Sequence, residues 1–443
     1  MLKRRGRTAR QDRPEYGGRA ACFGRAKERL ALIANSDNTS PIRRIVNRHR
    51  QRYNVINLIT AVWQQYTRRD MAAHAAAQIG GSTTMTTTST SRIRFGIIGA
   101  GAIGAIHMDI LSKLGEAAEL RAVTDAYLPL AEQRAAEYGI PVVHPSPEAL
   151  IADPELDAVV VAVPNQFHAP LTIAALQAGK HVLLEKPMAI NADKAMEIVQ
   201  EQQRTGKTVM IAQQMRFTGL ARAVKAVIDA GQVGRIYNVK TGWMRKKGIP
   251  GWGSWFTRKE LAGGGPLIDI GVHMLDLSLH LMGSPKPIAV FGTTYAEFGP
   301  LKRGTGTWGT PNWDGTYDVE DLATALIKLD DGATLSLEVS WAAHAASFTD
   351  QPFIHIMGTE GGVSIVGDEA TYVTHADNEV VTSKIEPLDD VNERELVAKH
   401  FIDAIHQGTT PISSALSGYT NNRILDAIYE SSATGSEVKL SWN

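Results

Sequence analysis

Asp269 and His273 stand four residues apart in the run Gly263-Gly264-Gly265-Pro266-Leu267-Ile268-Asp269-Ile270-Gly271-Val272-His273. On a helix this spacing puts both side chains on one face, near enough to interact. Histidine exchanges a proton near neutral pH, and an adjacent carboxylate fixes the imidazole and favours its charged form. Taken alone, the pair also reads as a helix-start Asp and a satisfied core His. Lys186 lies between Glu185 and Pro187, after the apolar run His181 to Leu184. Packing does not explain it, because an unpartnered buried ammonium is costly. The three groups suit loss of a hydride from an alcohol carbon. His273 removes the hydroxyl proton, Lys186 stabilises the developing alkoxide, and Asp269 orients His273. Asp276 reads as structural.

Such groups need a frame, and the clearest piece begins at Ile93. Ile93 to Ile98 is a short apolar run of the kind that makes a central parallel strand. It leads into Gly99-Ala100-Gly101-Ala102-Ile103-Gly104 and a helix through Leu114, which is G-x-G-x-x-G in strand–turn–helix context. Gly99 permits the tight turn, Gly101 lets backbone approach a pyrophosphate, and Gly104 allows helix and strand to pack closely. Ala102 and Ile103 open the helix whose free N–H groups face the anion. A second strand, Glu119 to Thr124, ends at Asp125, 21 residues after Gly104. A carboxylate there accepts from both ribose hydroxyls and repels a 2′-phosphate, so the expected cofactor is NAD rather than NADP.

Strands and helices go on alternating. Strands are expected at Ala158 to Val163, His181 to Leu184 and Thr208 to Ala212, and helices at Leu128 to Tyr138, Leu171 to Ala178 and Ala192 to Arg204. Ligands sit at strand carboxyl ends in such sheets. That places Pro164, Asn165, His168, Glu185, Lys186 and Gln214 beside the cofactor, although a turn cap and a helix start account equally for Asn165 and His168. After the helix Leu220 to Ala230 the pattern changes to period two: Ile236 to Met244, Ile288 to Glu297, Leu322 to Leu329 and Thr334 to Trp341. Asp330-Asp331-Gly332 makes a hairpin turn between the last two. Further strands fall at Phe353 to Met357, Gly362 to Val366, Thr371 to His375, Val380 to Ile385 and Val438 to Ser441, with helices at Asn392 to His406 and Asn421 to Ser432. The fold class is therefore an α/β Rossmann domain, residues 92–215, followed by an α+β domain with a large, mostly antiparallel sheet, residues 216–443.

Tryptophan gathers in the second half, at Trp243, Trp252, Trp255, Trp308 and Trp313, and an indole face suits sugar C–H bonds. Trp255 and Arg258 join Lys186, Asp269 and His273 as candidate substrate contacts. Arg245, Lys246, Lys247, His344 and His355 are further possibilities, with solvation the simpler reading for the lysines.

Composition narrows the partners. No stretch of the 443 residues approaches the roughly 18 uninterrupted apolar residues of a membrane span. One cysteine, Cys22, excludes a disulfide framework and a cysteine metal cluster, and no metal site is expected. Residues 1–84 hold 17 basic against 5 acidic residues, the rest 29 against 41. An acidic main body argues against nucleic acid, since neutralising phosphates needs clustered Lys and Arg. The Arg-rich residues 1–84 lack the apolar core of a secretory signal. They read as a disordered tail or as sequence upstream of a true start at Met85.

The combination of Gly99-x-Gly101-x-x-Gly104, Glu185-Lys186-Pro187 and Gly263-Gly264-Gly265 followed by Asp269-x-x-x-His273 resembles the Gfo/Idh/MocA oxidoreductases, over about Ile93 to the C-terminus. The resemblance implies catalytic Lys, Asp and His at Lys186, Asp269 and His273. It also implies an open-faced C-terminal sheet that forms the substrate site and the contact surface of a homo-oligomer, a dimer or tetramer. The expected activity is NAD-dependent oxidation of a secondary hydroxyl on a sugar, glycoside or cyclitol in the cytoplasm. An NAD-dependent glycosidase working by oxidation and elimination, or a non-catalytic dinucleotide-binding regulator, are the alternatives.

Overall fold

The computed structural model describes residues 91–346 and 349–442, so the expectations for residues 1–84 and Met85 lie outside the described residues. Six strands form the first sheet: β1 (Ile93–Ile98), β2 (Ala118–Thr124), β3 (Val142–Val143), β4 (Ala158–Val161), β5 (His181–Leu184) and β6 (Val209–Ile211). They run parallel in the order β3-β2-β1-β4-β5-β6. This is the doubly wound dinucleotide-binding order, whose crevice opens where the order reverses, between β1 and β4. Apolar residues on both faces explain the burial: Phe95, Ile97, Val159, Val160 and Leu183 are inaccessible to solvent. Helices Ala102–Ser112, Leu128–Tyr138, His168–Gln177 and Ala192–Thr205 carry the crossovers.

The second sheet has nine strands: β7 (Ile236–Met244), β8 (Pro287–Tyr295), β9 (Leu322–Leu329), β10 (Thr334–Ser340), β11 (Pro352–Gly358), β12 (Gly361–Val366), β13 (Glu369–Ala376), β14 (Glu379–Ile385) and β15 (Val438–Lys439). Their order is β14-β13-β12-β11-β7-β10-β9-β8-β15, antiparallel throughout except for the parallel pair β7–β10. The expected hairpin turn joins β9 to β10, with Gly332 at φ +86° and Ala333 N–H donating to Asp331. One face of this sheet is covered by helices Gly219–Asp229, Val272–Leu281 and Ala415–Thr434 over a shared apolar core. The other face leaves Phe291 and Leu326 about half exposed, directly opposite one another on β8 and β9.

Two departures from the sequence reading have local causes. The helix Ala415–Thr434 starts six residues before the expected Asn421, capped by Ser414, because its first turns (Ala-Leu-Ser-Gly-Tyr-Thr) carry little apolar periodicity. Val142–Val143 and the helix Pro147–Ile151 are too short to show a period at all. The helix Glu393–Gln407, late in the sequence, packs in the core of the first sheet, its Phe401 ring 6.2 Å from that of Phe95. Among the described residues no helix is long and apolar enough to cross a membrane.

Candidate active site

The glycine turn after β1 has the shape its spacing implies. Gly99 takes φ +103°, and a Cβ there would meet the Ala162 carbonyl oxygen at 2.2 Å. A Cβ on Gly104 would fall 1.9 Å from the Gly99 carbonyl oxygen, so this residue sets how closely helix and strand approach. Gly101 has nothing within 4 Å of where its Cβ would be, and it caps the helix Ala102–Ser112 without a side-chain bond or an acidic first turn. Ala102 is exposed and Ile103 half-buried beside it. This open, unneutralised helix start suits a pyrophosphate. Asp125, just past the end of β2, accepts the Ala100 N–H at 2.7 Å and the Tyr127 N–H at 2.8 Å, which fixes its carboxylate beside the turn.

Three of the residues expected at the cofactor hydrogen-bond within the protein. Asn165 donates its amide to the Ala262 carbonyl at 2.8 Å. His168 is buried with both ring nitrogens at backbone carbonyls, Nδ1 at Pro187 (2.7 Å) and Nε2 at Val163 (2.9 Å). Glu185 is buried against His107 Nε2 at 2.8 Å, with Arg394 at 3.7 Å, and its other oxygen accepts the Lys186 N–H. Burial pushes the Glu185 carboxyl up, but the His107 hydrogen bond and the nearby cations outweigh it and bring it down to about 2. These side chains brace the strand ends; Pro164 and Gln214 remain half-buried at theirs. Nothing in the spacing singles out His107 or Arg394.

Lys186 leaves the end of β5 and reaches over to the second sheet. Its Nζ donates to Asp269 Oδ1 and to the Asp269 carbonyl oxygen, both at 3.0 Å. Asp269 sits in a π-helical turn, Leu267–Gly271, that runs into the helix Val272–Leu281 bearing His273. Its second oxygen, Oδ2, accepts the indole N–H of the fully buried Trp341 at 3.0 Å. Both oxygens are thus spent on Lys186 and Trp341, and Asp269 does not orient His273 by a hydrogen bond. The π turn explains the difference, since its i→i+5 bonding changes the angular step that an α-helix would have supplied. Burial raises the Asp269 carboxyl, and Lys186 and Trp341 more than reverse that, so it lies below its ordinary value.

The imidazole of His273 is buried with Nδ1 unpartnered, leaving Nε2 as the nitrogen open to the crevice. Burial and then the charge of Lys186 push it down to about 3. The expected protonated form is therefore replaced by a neutral imidazole, which is the form a base requires. Asp276, one turn on, is held by Arg216 (2.7 and 2.6 Å) and Asn421 (2.8 Å), a structural ion pair.

The glycine run upstream is built around Glu320. Its buried carboxylate accepts the N–H groups of Gly265 and Leu267 at 2.9–3.0 Å and the Tyr429 hydroxyl at 2.9 Å. A Cβ on Gly264 would strike the Tyr429 hydroxyl at 1.9 Å, and one on Gly265 the Glu320 carbonyl oxygen at 2.0 Å. Of the tryptophans, Trp252 is buried, stacked with Trp313 and Tyr317, and donates to the Gly299 carbonyl at 2.7 Å. Trp255 is half-buried and stacks on Phe256, against whose edge Trp308 packs. Arg258 is exposed, 3.8 Å from Glu260.

A dinucleotide-type crevice flanked by an ammonium–carboxylate pair and a neutral imidazole is an arrangement suited to proton transfer at a hydroxyl. Comparison with known proteins agrees. Residues 93–213 match the Gfo/Idh/MocA model described as an oxidoreductase family with an NAD-binding Rossmann fold, and residues 221–364 match the Gfo/Idh/MocA C-terminal domain. D-glucoside 3-dehydrogenase of Escherichia coli (strain K12) is 33% identical over 356 residues, 80% of this chain and 99% of the relative. The scyllo-inositol 2-dehydrogenase (NAD(+)) of Bacillus subtilis (strain 168) is 26% identical, over 79% of this chain and 96% of that one. Among solved structures, levoglucosan dehydrogenase in complex with NADH and levoglucosan superposes with a TM-score of 0.70 at 25% identity, covering 79% of this chain and 99% of that one. The chain belongs to the Gfo/Idh/MocA family and is an NAD-dependent oxidoreductase.

Proposed function

We propose that this protein oxidises a secondary hydroxyl of a sugar, glycoside or cyclitol. The observation that carries the reading is the Lys186–Asp269 pair at 3.0 Å, set beside an imidazole that burial and then the same lysine keep neutral. When bound, NAD supplies the hydride acceptor, and the Gly99–Gly104 turn and Asp125 would hold it. The hydroxyl proton passes to His273 Nε2 as the C–H bond breaks. Lys186 donates to the same oxygen and stabilises the negative charge that develops there. Asp269, anchored by Trp341, fixes where the ammonium stands. The relatives support this chemistry, since they are dehydrogenases of a glucoside and an inositol by name.

The reading also covers assembly: the half-exposed Phe291 and Leu326 on the uncovered sheet face fit contact with a second copy of the chain.

Purified protein mixed with NAD and a panel of methyl glycosides, anhydrosugars and inositols should form reduced nicotinamide with at least one of them. His273→Ala should lower that turnover roughly 10²–10⁴-fold while NAD affinity, read by calorimetry, stays within a factor of about two. A panel on which wild type and His273→Ala are equally active, or equally silent, would remove the proposal.

A further inference from the structure

Along β7, Val239, Thr241 and Trp243 lie on the face that carries the helices, and Arg245 continues that alternation just beyond the strand. Its backbone is fixed on both sides of the peptide. Arg245 N–H donates to the Ser340 carbonyl at 3.1 Å, and Ser340 Oγ donates to the Arg245 carbonyl at 3.0 Å. The residue after Ser340 is Trp341, the anchor of Asp269, so Arg245 and the reacting pair stand at the same end of adjacent parallel strands.

The side chain is half-buried, with its guanidinium carbon 4.1 Å from the centre of the Trp243 ring. That ring is itself pinned, its N–H donating to the Asp350 carbonyl at 3.0 Å. Among the described residues none accepts a hydrogen bond from the guanidinium. Its five donors thus have no acceptor among the described residues, whereas the buried Arg216 spends its own on Asp276. Burial lowers the guanidinium's affinity for its proton, and the negative fields of Asp269 and Asp350 work against that. The stacked, backbone-anchored geometry pre-organises a planar fork, which matches a pair of adjacent oxygen acceptors better than a single one.

We propose that Arg245 is a specificity-determining residue that donates to the hydroxyls neighbouring the one oxidised, selecting substrates with vicinal oxygens. The proposal rests on the polyol-oxidising reading above and adds the residue that recognises the rest of the ring. Lys246 and Lys247, which follow it, are exposed.

The test is calorimetric binding of methyl β-D-glucopyranoside and its monodeoxy analogues to the NADH-loaded protein, so that turnover is not the readout. Wild type should bind the parent more tightly than the analogues lacking a hydroxyl next to the reacting carbon. Arg245→Ala should weaken parent binding by about 10- to 100-fold, the worth of hydrogen bonds from a charged donor, and bring parent and deoxy affinities together. Arg245→Lys keeps the charge but not the fork, and should restore less than half of the lost discrimination, with NADH affinity unchanged in both variants. Parent binding within twofold of wild type in Arg245→Ala, intact discrimination in Arg245→Lys, or a wild type that binds none of these sugars overturns the proposal. A wild type that binds and discriminates but reduces no NAD with any sugar refutes the dehydrogenase reading alone and leaves Arg245 as a sugar-binding residue.

Discussion

At the scale of single residues, the proposed mechanism rests on an uncharged base beside an ammonium. Burial and Lys186 both disfavour the imidazolium of His273, whose pKa falls to about 3. The sign follows directly: as pH drops from 8 to 5 the imidazole stays deprotonated, so kcat/KM should show no acidic inflection at the ordinary histidine value near 6.5. A pH profile of kcat/KM with a clear break at about 6.5 would instead reveal a solvated imidazole. Trp341 is the partner that spacing could not reveal. It ends a period-two run whose buried positions, Leu335, Leu337 and Val339, mark it as a covered side chain, and nothing more is written in the sequence. Replacing Trp341 by Phe removes one N–H and leaves a carboxylate oxygen without its buried donor, at a cost of about 1–3 kcal/mol. The expected result is a lower Tm together with a roughly tenfold lower kcat, while the KM for NAD holds. A kcat equal to wild type would show that Lys186 alone positions Asp269.

At the scale of elements, the sequence was legible wherever a period was long enough to count. β1, β5, β7 and β9 fall at the expected residues, because an apolar run bounded by turn residues determines both length and ends. The glycine turn was legible for a steric reason, since only glycine survives at Gly99 and Gly104. The π turn was not, because it differs from an α-helix by one step in hydrogen bonding and leaves the residue spacing unchanged. What holds that turn came from far along the chain: Glu320, over fifty residues on, accepts the backbone N–H groups at its start. Gly264 and Gly265 are therefore packing devices against Tyr429 and Glu320, unlike Gly101 of the first glycine turn, which faces open space. Gly265→Ala forces a Cβ to within 2.0 Å of the Glu320 carbonyl oxygen, so the turn carrying Asp269 must shift. Since a misplacement of about 1 Å can cost about 10²-fold in rate, kcat should fall by about that factor with NADH affinity preserved. Retained kcat in a folded Gly265→Ala protein would show that the turn tolerates displacement.

At the scale of the whole molecule, the reacting groups exist only as a product of both sheets. Lys186 comes from the end of β5, Asp269 and His273 from the helical segment over the second sheet, and Arg394 from a late helix that returns to the first. A nine-stranded sheet with helices on one face has to solve its other face, and apolar residues there bear on assembly rather than on the core. Phe291 and Leu326 stand opposite each other across β8 and β9, about half exposed. Their side chains point away from the helix-covered core, so charging them should spare the fold. If a second copy covers this face, the wild type sediments as a dimer or larger at micromolar concentration, and Phe291→Glu with Leu326→Glu sediments as a monomer with a Tm within a few degrees of wild type, since substitutions on an exposed face usually change stability little. Because the reacting groups lie on the opposite face, the monomeric variant should still bind NADH. A wild type that is itself monomeric, or a charged variant whose assembly is unchanged, would assign the face to solvent.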